Sequence, residues 1–81
     1  MQARTGTEYQ VCMDKQRYYL ETARRGWDTN AKASEGLGLS EPTISRLLSG
    51  KEPSAQSIDR LLTEFDIPYR ALFIRKEREQ S

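Results

Sequence analysis

The amino-acid sequence predicts an all-α domain built from five helices. Three observations indicate this fold class: apolar residues recur at helical spacing, capping side chains precede these runs, and glycine or proline punctuates their ends. Alternation of apolar and polar residues, which is typical of strands, is confined to a brief run at residues 8–12. The length of 81 residues fits one small domain. We expect a flexible arm at 1–8, a globular unit at 9–74 and a charged tail at 75–81.

The first helix is predicted over about residues 8–25. Met13, Leu20 and Ala23 share one face of this helix, although the apolar stripe that they form is weak. Gly26 follows at the position where a glycine commonly ends a helix.

Two short helices follow, and a turn that contains glycine joins them. The first spans about residues 30–37 and is capped by Asp28 or Thr29, because a short side-chain oxygen can accept from the free N–H groups there. Gly38 lies just past the last periodic residue and is expected to adopt a positive φ. The second short helix begins after Ser40, which is a good capping residue. A helix pair of this size, joined by about three residues, is typical of a helix-turn-helix.

The later helices have clearer apolar stripes. The third helix has Ile44, Leu47 and Leu48 at i, i+3 and i+4, and the fourth has Ile58, Leu61, Leu62 and Phe65 at i, i+3, i+4 and i+7. Ser54 or Ser57 caps the fourth helix. A last short helix begins at Pro68, with Leu72 and Phe73 facing inward.

The composition argues against several classes of protein. The single cysteine, Cys12, excludes an intrachain disulfide and a cysteine zinc site, and we expect it to be an unreactive, partly buried side chain. The absence of histidine excludes histidine-based nucleophilic and metal sites, and Glu35 and Glu41 are expected on a solvated surface. No apolar run approaches the roughly 20 residues that a membrane span needs. We therefore predict a cytoplasmic protein that is not an enzyme and has no cofactor, no metal and no membrane partner.

A further set of motifs spans residues 13–73. Ser34 is a small residue, and the turn glycine Gly38 follows it four positions later. The apolar residues Ile44 and Leu47 come six and nine positions after that glycine. Ile-Ser-Arg at 44–46 and Lys-Glu-Pro-Ser at 51–54 follow. These residues resemble the Cro/CI, or XRE-type, helix-turn-helix domains of phage repressors and small bacterial regulators. Residues 26–30 depart from that pattern, because the family's Gly-Leu-Thr-Gln is here Gly-Trp-Asp-Thr-Asn, one residue longer.

The resemblance implies a compact five-helix lambda-repressor-like domain that regulates transcription in the nucleoid, as a repressor. Such modules bind double-stranded DNA as homodimers on palindromic operators, with the third helix, here about 41–49, in the major groove. Helical geometry gives as base-contacting candidates Glu41, Pro42, Thr43, Ser45 and Arg46. Phosphate-contacting candidates are Thr29, Asn30, Lys32, Ser40, Ser49 and Lys51, with Arg24 or Arg25 in addition. The dimer surface that the family implies would involve Tyr69, Arg70, Phe73 and Ile74.

The residues of the third helix leave alternatives open. Arg46 either binds a guanine edge with two hydrogen bonds, contacts a phosphate, or pairs with Glu41 or Glu35. Glu41 either accepts from cytosine N4 or only favours the positive end of the helix. Trp27 is expected to anchor the core rather than to stack on a base. The net charge of +1 and the Glu41–Pro42 start of the helix favour a second hypothesis, an antitoxin or other protein-interaction module with weak or no DNA binding.

Overall fold

Seven secondary-structure elements follow one another in the computed structural model, which describes residues 9–77 of the chain. Their order is β1 (Tyr9–Met13), α1 (Lys15–Arg24), α2 (Asn30–Leu37), α3 (Glu41–Leu48), α4 (Ala55–Phe65), α5 (Tyr69–Leu72) and β2 (Phe73–Glu77). The described part is therefore a mostly helical domain with the expected five helices. The arm expected at 1–8 and the last four residues of the expected tail lie outside the described residues.

The prediction of an all-α fold is wrong, because β1 and β2 pair as an antiparallel two-stranded sheet, here called the ribbon. Its register runs from Tyr9 opposite Glu77 to Met13 opposite Phe73. Met13 and Phe73 are buried among the helices, and this packing stabilises strands that would be marginal as an isolated pair. The two strands come from opposite ends of the described chain, so no local pattern except the brief run at residues 8–12 indicates them.

The ribbon shortens α1 and changes the face that this helix buries. Asp14 separates β1 from α1, and its side chain accepts hydrogen bonds from backbone N–H groups in the first turn of the helix. The predicted apolar stripe is wrong, since Leu20 and Ala23 are exposed and Met13 belongs to β1. The buried residues of α1 are instead Tyr18, Glu21 and Thr22. A search for apolar residues at helical spacing does not find this buried face, because the charged residue Glu21 lies on it.

Helices α2, α3 and α4 each begin directly after one of the predicted capping residues. Thr29, Ser40 and Ser54 each accept a hydrogen bond from a backbone N–H in the first turn of the following helix. Gly38 ends α2 with φ of +73°, as expected. Asp66 ends α4 at φ of 56°, a left-handed conformation that is uncommon outside glycine.

The end of the domain is a strand rather than a prolonged helix. Helix α5 is a single turn, and Phe73 begins β2 directly after it. The expected burial of Leu72 and Phe73 is confirmed. Because β2 continues to Glu77, the boundary expected between 74 and 75 lies within this strand.

One hydrophobic core joins the ribbon to the helices. Its buried members are Met13, Tyr18, Ala33, Leu37, Leu39, Ile44, Leu47, Leu61, Phe65, Leu72 and Phe73. Every element of residues 9–77 contributes to this set, so the position of α3 is fixed by packing on several sides. None of the helices within the described range is long and apolar enough to cross a membrane.

Candidate nucleic-acid interface

Helix α3 buries one side and exposes the other. Ile44 and Leu47 are 0% and 2% exposed, and they fix the inner side of the helix to the core. The outer side, here called the α3 face, comprises the five residues predicted to contact bases: Glu41, Pro42, Thr43, Ser45 and Arg46. All are exposed except Thr43, which is half-buried. The structure therefore brings the predicted set together on one surface.

A three-residue turn sets α3 against α2. The N–H of Gly38 donates to the carbonyl of Ser34 at 2.9 Å, and the Ser34 hydroxyl donates to the carbonyl of Leu39. Leu39 is buried, so the turn is attached to the core at its centre. The left-handed conformation of Gly38 reverses the chain at a position where another residue would be disfavoured by about 1–2 kcal/mol.

Helix α4 supports the same turn through Arg60, a residue that the sequence analysis does not single out. Its Nε donates to the carbonyl of Leu37 at 2.9 Å. A Cβ added at Gly38 would lie 3.0 Å from Nη2 of Arg60. The contact joins residues 23 apart in the chain, so no local pattern could have indicated it.

Most hydrogen-bond donors of Arg46 have no acceptor in the part of the chain that the structure describes. Its Nη2 lies 3.4 Å from Oγ1 of Thr43, a long contact, and within residues 9–77 it forms no ion pair. The alternative pairing with Glu41 or Glu35 is therefore not formed there. Ser40, a predicted phosphate contact, uses its hydroxyl to cap α3 and lies 2.8 Å from Oγ1 of Thr43. A guanidinium with free donors is suited to bind an external acceptor.

The end of α3 presents a second group of predicted contacts. The Ser49 hydroxyl donates to the carbonyl of Arg46 at 2.8 Å, so it closes the helix end. The N–H of Lys51 donates to the same carbonyl at 3.1 Å, and the Lys51 side chain is exposed. Arg46 and Lys51 line a polar groove of about 360 Å³ that also contains Glu52, and we call it the first groove. The ribbon reaches this region, because Nε2 of Gln10 donates to the carbonyl of Gly50 at 2.9 Å.

The beginning of α2 holds the other predicted phosphate contacts. The Thr29 side chain accepts from the N–H of Lys32 at 3.1 Å, and Asn30 is exposed. Nζ of Lys32 lies 2.9 Å from Oδ1 of Asp28, with both side chains largely exposed. The hydrogen bond and the charge of Lys32 lower the pKa of the Asp28 carboxyl. Lys32 thus already has an acidic partner, which competes with a phosphate contact.

Arg25 has a structural position rather than a surface one. Its Nη1 lies 3.0 Å from Oε1 of the buried Glu21, and its Nη2 donates to the carbonyl of Glu64 at 3.1 Å. Arg17 and Arg24 also pair with Glu21, at 2.8 Å and 3.4 Å. The hydrogen bond from Arg17, helped by Arg25 and Arg24, lowers the pKa of this carboxyl in spite of its burial. The cluster joins the end of α1 to the end of α4.

Trp27 packs against the core. Its ring lies 6.3 Å from the ring of Phe65, and the Arg25 guanidinium lies 5.8 Å from its centre. Gly36 in α2 leaves the space that this ring fills, because a Cβ there would come within 2.2 Å of Cζ2 of Trp27. These contacts support the expected anchoring role.

The residues expected at a dimer surface divide into two groups. Tyr69 and Ile74 are 44% and 45% exposed, and Arg70 is exposed as well. Phe73 is only 4% exposed, so its side chain offers almost no surface to a partner. Its ring lies 5.0 Å from the ring of Tyr69, and it supports that exposed side chain from below.

Comparison of the chain with protein-family models, with curated proteins and with solved structures gives no match.

Proposed function

We propose that the chain is a sequence-specific DNA-binding transcriptional regulator, a repressor, which binds a palindromic operator as a homodimer. The observation that carries this proposal is the α3 face, a polar surface fixed by Ile44 and Leu47 and presented by the turn at Gly38. The major groove of B-DNA is wide enough to admit an α-helix, whose outward side chains then meet base edges.

Arg46 is assigned the principal base contact, since its guanidinium has free donors and can bind guanine O6 and N7 together. Thr43 and Ser45 have hydroxyl groups that suit a base or a phosphate. Glu41 accepts from cytosine N4, and Pro42 makes apolar contact with a thymine methyl group. Two further residues contact phosphates: Lys51, which follows the end of α3, and Asn30, which begins α2.

The test begins with selection of duplexes from a random-sequence pool by the wild-type protein. The selected duplex is then titrated with wild type, Arg46→Ala and Arg46→Lys. We expect Arg46→Ala to weaken specific binding by about 1–3 kcal/mol and to relax the preference at one base position. Arg46→Lys keeps the charge but lacks the planar pair of donors, so it should lose the guanine preference while non-specific affinity stays close to wild type.

Two outcomes would contradict the proposal. One is the lack of any enriched sequence together with no duplex binding at low salt. The other is an Arg46→Ala variant that binds the selected duplex with wild-type affinity and base preference, which would remove α3 from the interface.

The dimer is proposed to form through the exposed side chains of Tyr69, Arg70 and Ile74. The dimer interface would bury Tyr69 and Ile74, the large apolar side chains that are exposed at the end of the domain. We expect Tyr69→Glu to shift sedimentation from dimer toward monomer and to weaken operator binding. Tyr19→Glu, a change of another large exposed side chain on α1, is the matched control.

A second candidate function is a protein-interaction module, such as an antitoxin. The observations that favour it are the net charge of +1 and the exposed Glu41 at the start of α3, which repels phosphates. This candidate predicts a stable co-purifying protein partner and no duplex shift at low salt. Enrichment of a duplex sequence by the isolated chain would reject it as the sole function.

A further inference from the structure

A second groove lies beside the end of α3, on the side of the ribbon. It has a volume of about 250 Å³ and lies between the ribbon, the start of α1 and the turn after α3. Residues that line it include Lys15, Gln16, Ser49, Gly50 and Lys76. The first groove, which contains Arg46 and Lys51, also lies near this turn, because Lys51 follows Gly50 in the chain. Each of the two grooves therefore contains two cations.

The cations of this second groove are free to bind an anion. Lys15 and Lys76 are exposed, and neither forms an ion pair with the described side chains, those of residues 9–76. The acidic residue that lines the groove is Asp14, and its carboxylate already accepts hydrogen bonds from the N–H groups of Gln16 and Arg17. The first groove likewise contains two cationic side chains and one carboxylate, that of Glu52.

The pairing of the ribbon decides which of its charges face this groove. Lys76 pairs with Gln10, and residues that pair directly lie on the same face of a sheet. Gln10 donates to the carbonyl of Gly50, so this face of the ribbon contacts the turn after α3. Successive strand residues point to opposite faces, and Arg75 accordingly lies with its guanidinium 4.6 Å from the ring centre of Tyr9.

We infer that the two grooves form one track for a DNA backbone, and that Lys15 and Lys76 bind phosphates beyond the contacts of α3. The inference rests on the proposed DNA-binding function and extends its surface from α3 to the ribbon. Its physical basis is that a chain with a net charge of only +1 binds a polyanion through local concentration of cations. The cations around the Ser49–Gly50 turn form such a concentration, whereas Arg75 lies outside it.

The experiment measures the salt dependence of binding to a mixed-sequence duplex, because phosphate contacts do not depend on sequence. Wild type is compared with Lys15→Gln, Lys76→Gln and the matched control Arg75→Gln. Each loss of a phosphate contact should reduce the magnitude of the slope of log K against log salt by about 0.9. We expect this reduction, with a several-fold loss of affinity, for Lys15→Gln and for Lys76→Gln. Arg75→Gln, which removes the same charge from the neighbouring residue, should leave the slope close to that of wild type.

The outcomes separate this inference from the function on which it rests. If wild type binds and Arg46→Ala impairs binding, but Lys76→Gln behaves as Arg75→Gln does, the track is overturned and the α3 interface stands. If wild type does not bind duplex at low salt, both are overturned. Circular dichroism melting of each variant establishes that affinity is compared between folded proteins.

Discussion

Two arginines of this small domain, Arg25 and Arg46, have opposite environments. The first uses its charge in contacts that hold the fold together, and the second has a charge that is available to a binding partner. Arg25 donates to Glu21 and to the carbonyl of Glu64, and its guanidinium lies 5.0 Å from the ring centre of Phe65. Arg46 is exposed, and among the described residues its guanidinium has only the long contact to Thr43. Both terminal nitrogens of Arg25 therefore have acceptors within the protein, while most donors of Arg46 have none among the described residues.

The comparison extends to the regions around the two residues. The Glu21 cluster, defined by Glu21 with Arg17, Arg24 and Arg25, joins α1 to α4 and includes a carboxylate that is only 2% exposed. The α3 face includes no ion pair among the described residues. Changes in the cluster should therefore act on stability, and changes on the face should act on binding. The four predictions that follow test this separation at the Glu21 cluster, at the turn before α3 and at the start of α2.

The largest expected effect is on stability, from Glu21→Ala. Loss of one partner of a fully buried ion pair costs about 3–5 kcal/mol because the remaining charge stays buried. The arginines left by Glu21→Ala are 28–62% exposed and can be hydrated, so we expect a smaller cost of about 2–3 kcal/mol, from the lost hydrogen bonds. Urea unfolding followed by circular dichroism measures the change. Arg24→Ala is the control, because Arg24 is 62% exposed and its loss should cost less than about 1 kcal/mol. Equal losses for the two variants would show that the cluster behaves as a surface network.

A smaller effect, on both stability and binding, is expected from Gly38→Ala. The left-handed φ of +73° costs about 1–2 kcal/mol for alanine, and the new Cβ would lie 3.0 Å from Nη2 of Arg60. Gly26→Ala is the matched control, since Gly26 has the same φ and nothing lies within 4 Å of its added Cβ. Both variants should lose stability in urea unfolding, but only Gly38→Ala should also weaken duplex binding, through the changed angle of α3. Equal binding by the two would show that the contact between Gly38 and Arg60 does not set the angle at which α3 meets DNA.

Local signals explain which parts of the fold and the site could be predicted from the sequence. The bounds of α2, α3 and α4 follow from caps and glycines a few residues away, and the exposed side of α3 follows from the positions of Ile44 and Leu47. The ribbon and the support of Gly38 by Arg60 depend on contacts between distant residues, which a single sequence does not display. The apolar pattern predicts the wrong buried face for α1 because Glu21 is charged and yet buried, and Phe73, which is expected at a dimer surface, belongs to the core.

The pH dependence of stability is expected to follow Glu21. Its pKa in the folded protein is lowered from the ordinary value of 4.5, chiefly by the hydrogen bond from Arg17, so the unfolded chain binds the proton more readily. The stability that the charged Glu21 contributes is therefore fully present above about pH 5.5 and is lost as the pH falls below 4.5 toward the folded pKa. Unfolding of wild type and Glu21→Gln across pH 7 to 3 isolates this residue from the other carboxyl groups. The difference between the two should shrink below pH 4.5, and a constant difference would contradict the prediction.

The smallest effect is expected at the beginning of α2, where Asp28→Asn removes the acidic partner of Lys32. Because both side chains are largely exposed, the pair should contribute little to folding, and the midpoint of urea unfolding should not change measurably. Release of Lys32 should instead strengthen duplex binding slightly and increase the magnitude of the salt slope by up to about 0.9, since one more phosphate can be neutralised. Asp59→Asn on α4 makes the same change of net charge at an exposed residue away from this surface, and it should leave the slope unchanged. An identical gain in both variants would mean that Lys32 is not a phosphate contact and that only the total charge matters, which would confine the interface to α3 and the grooves beside its end.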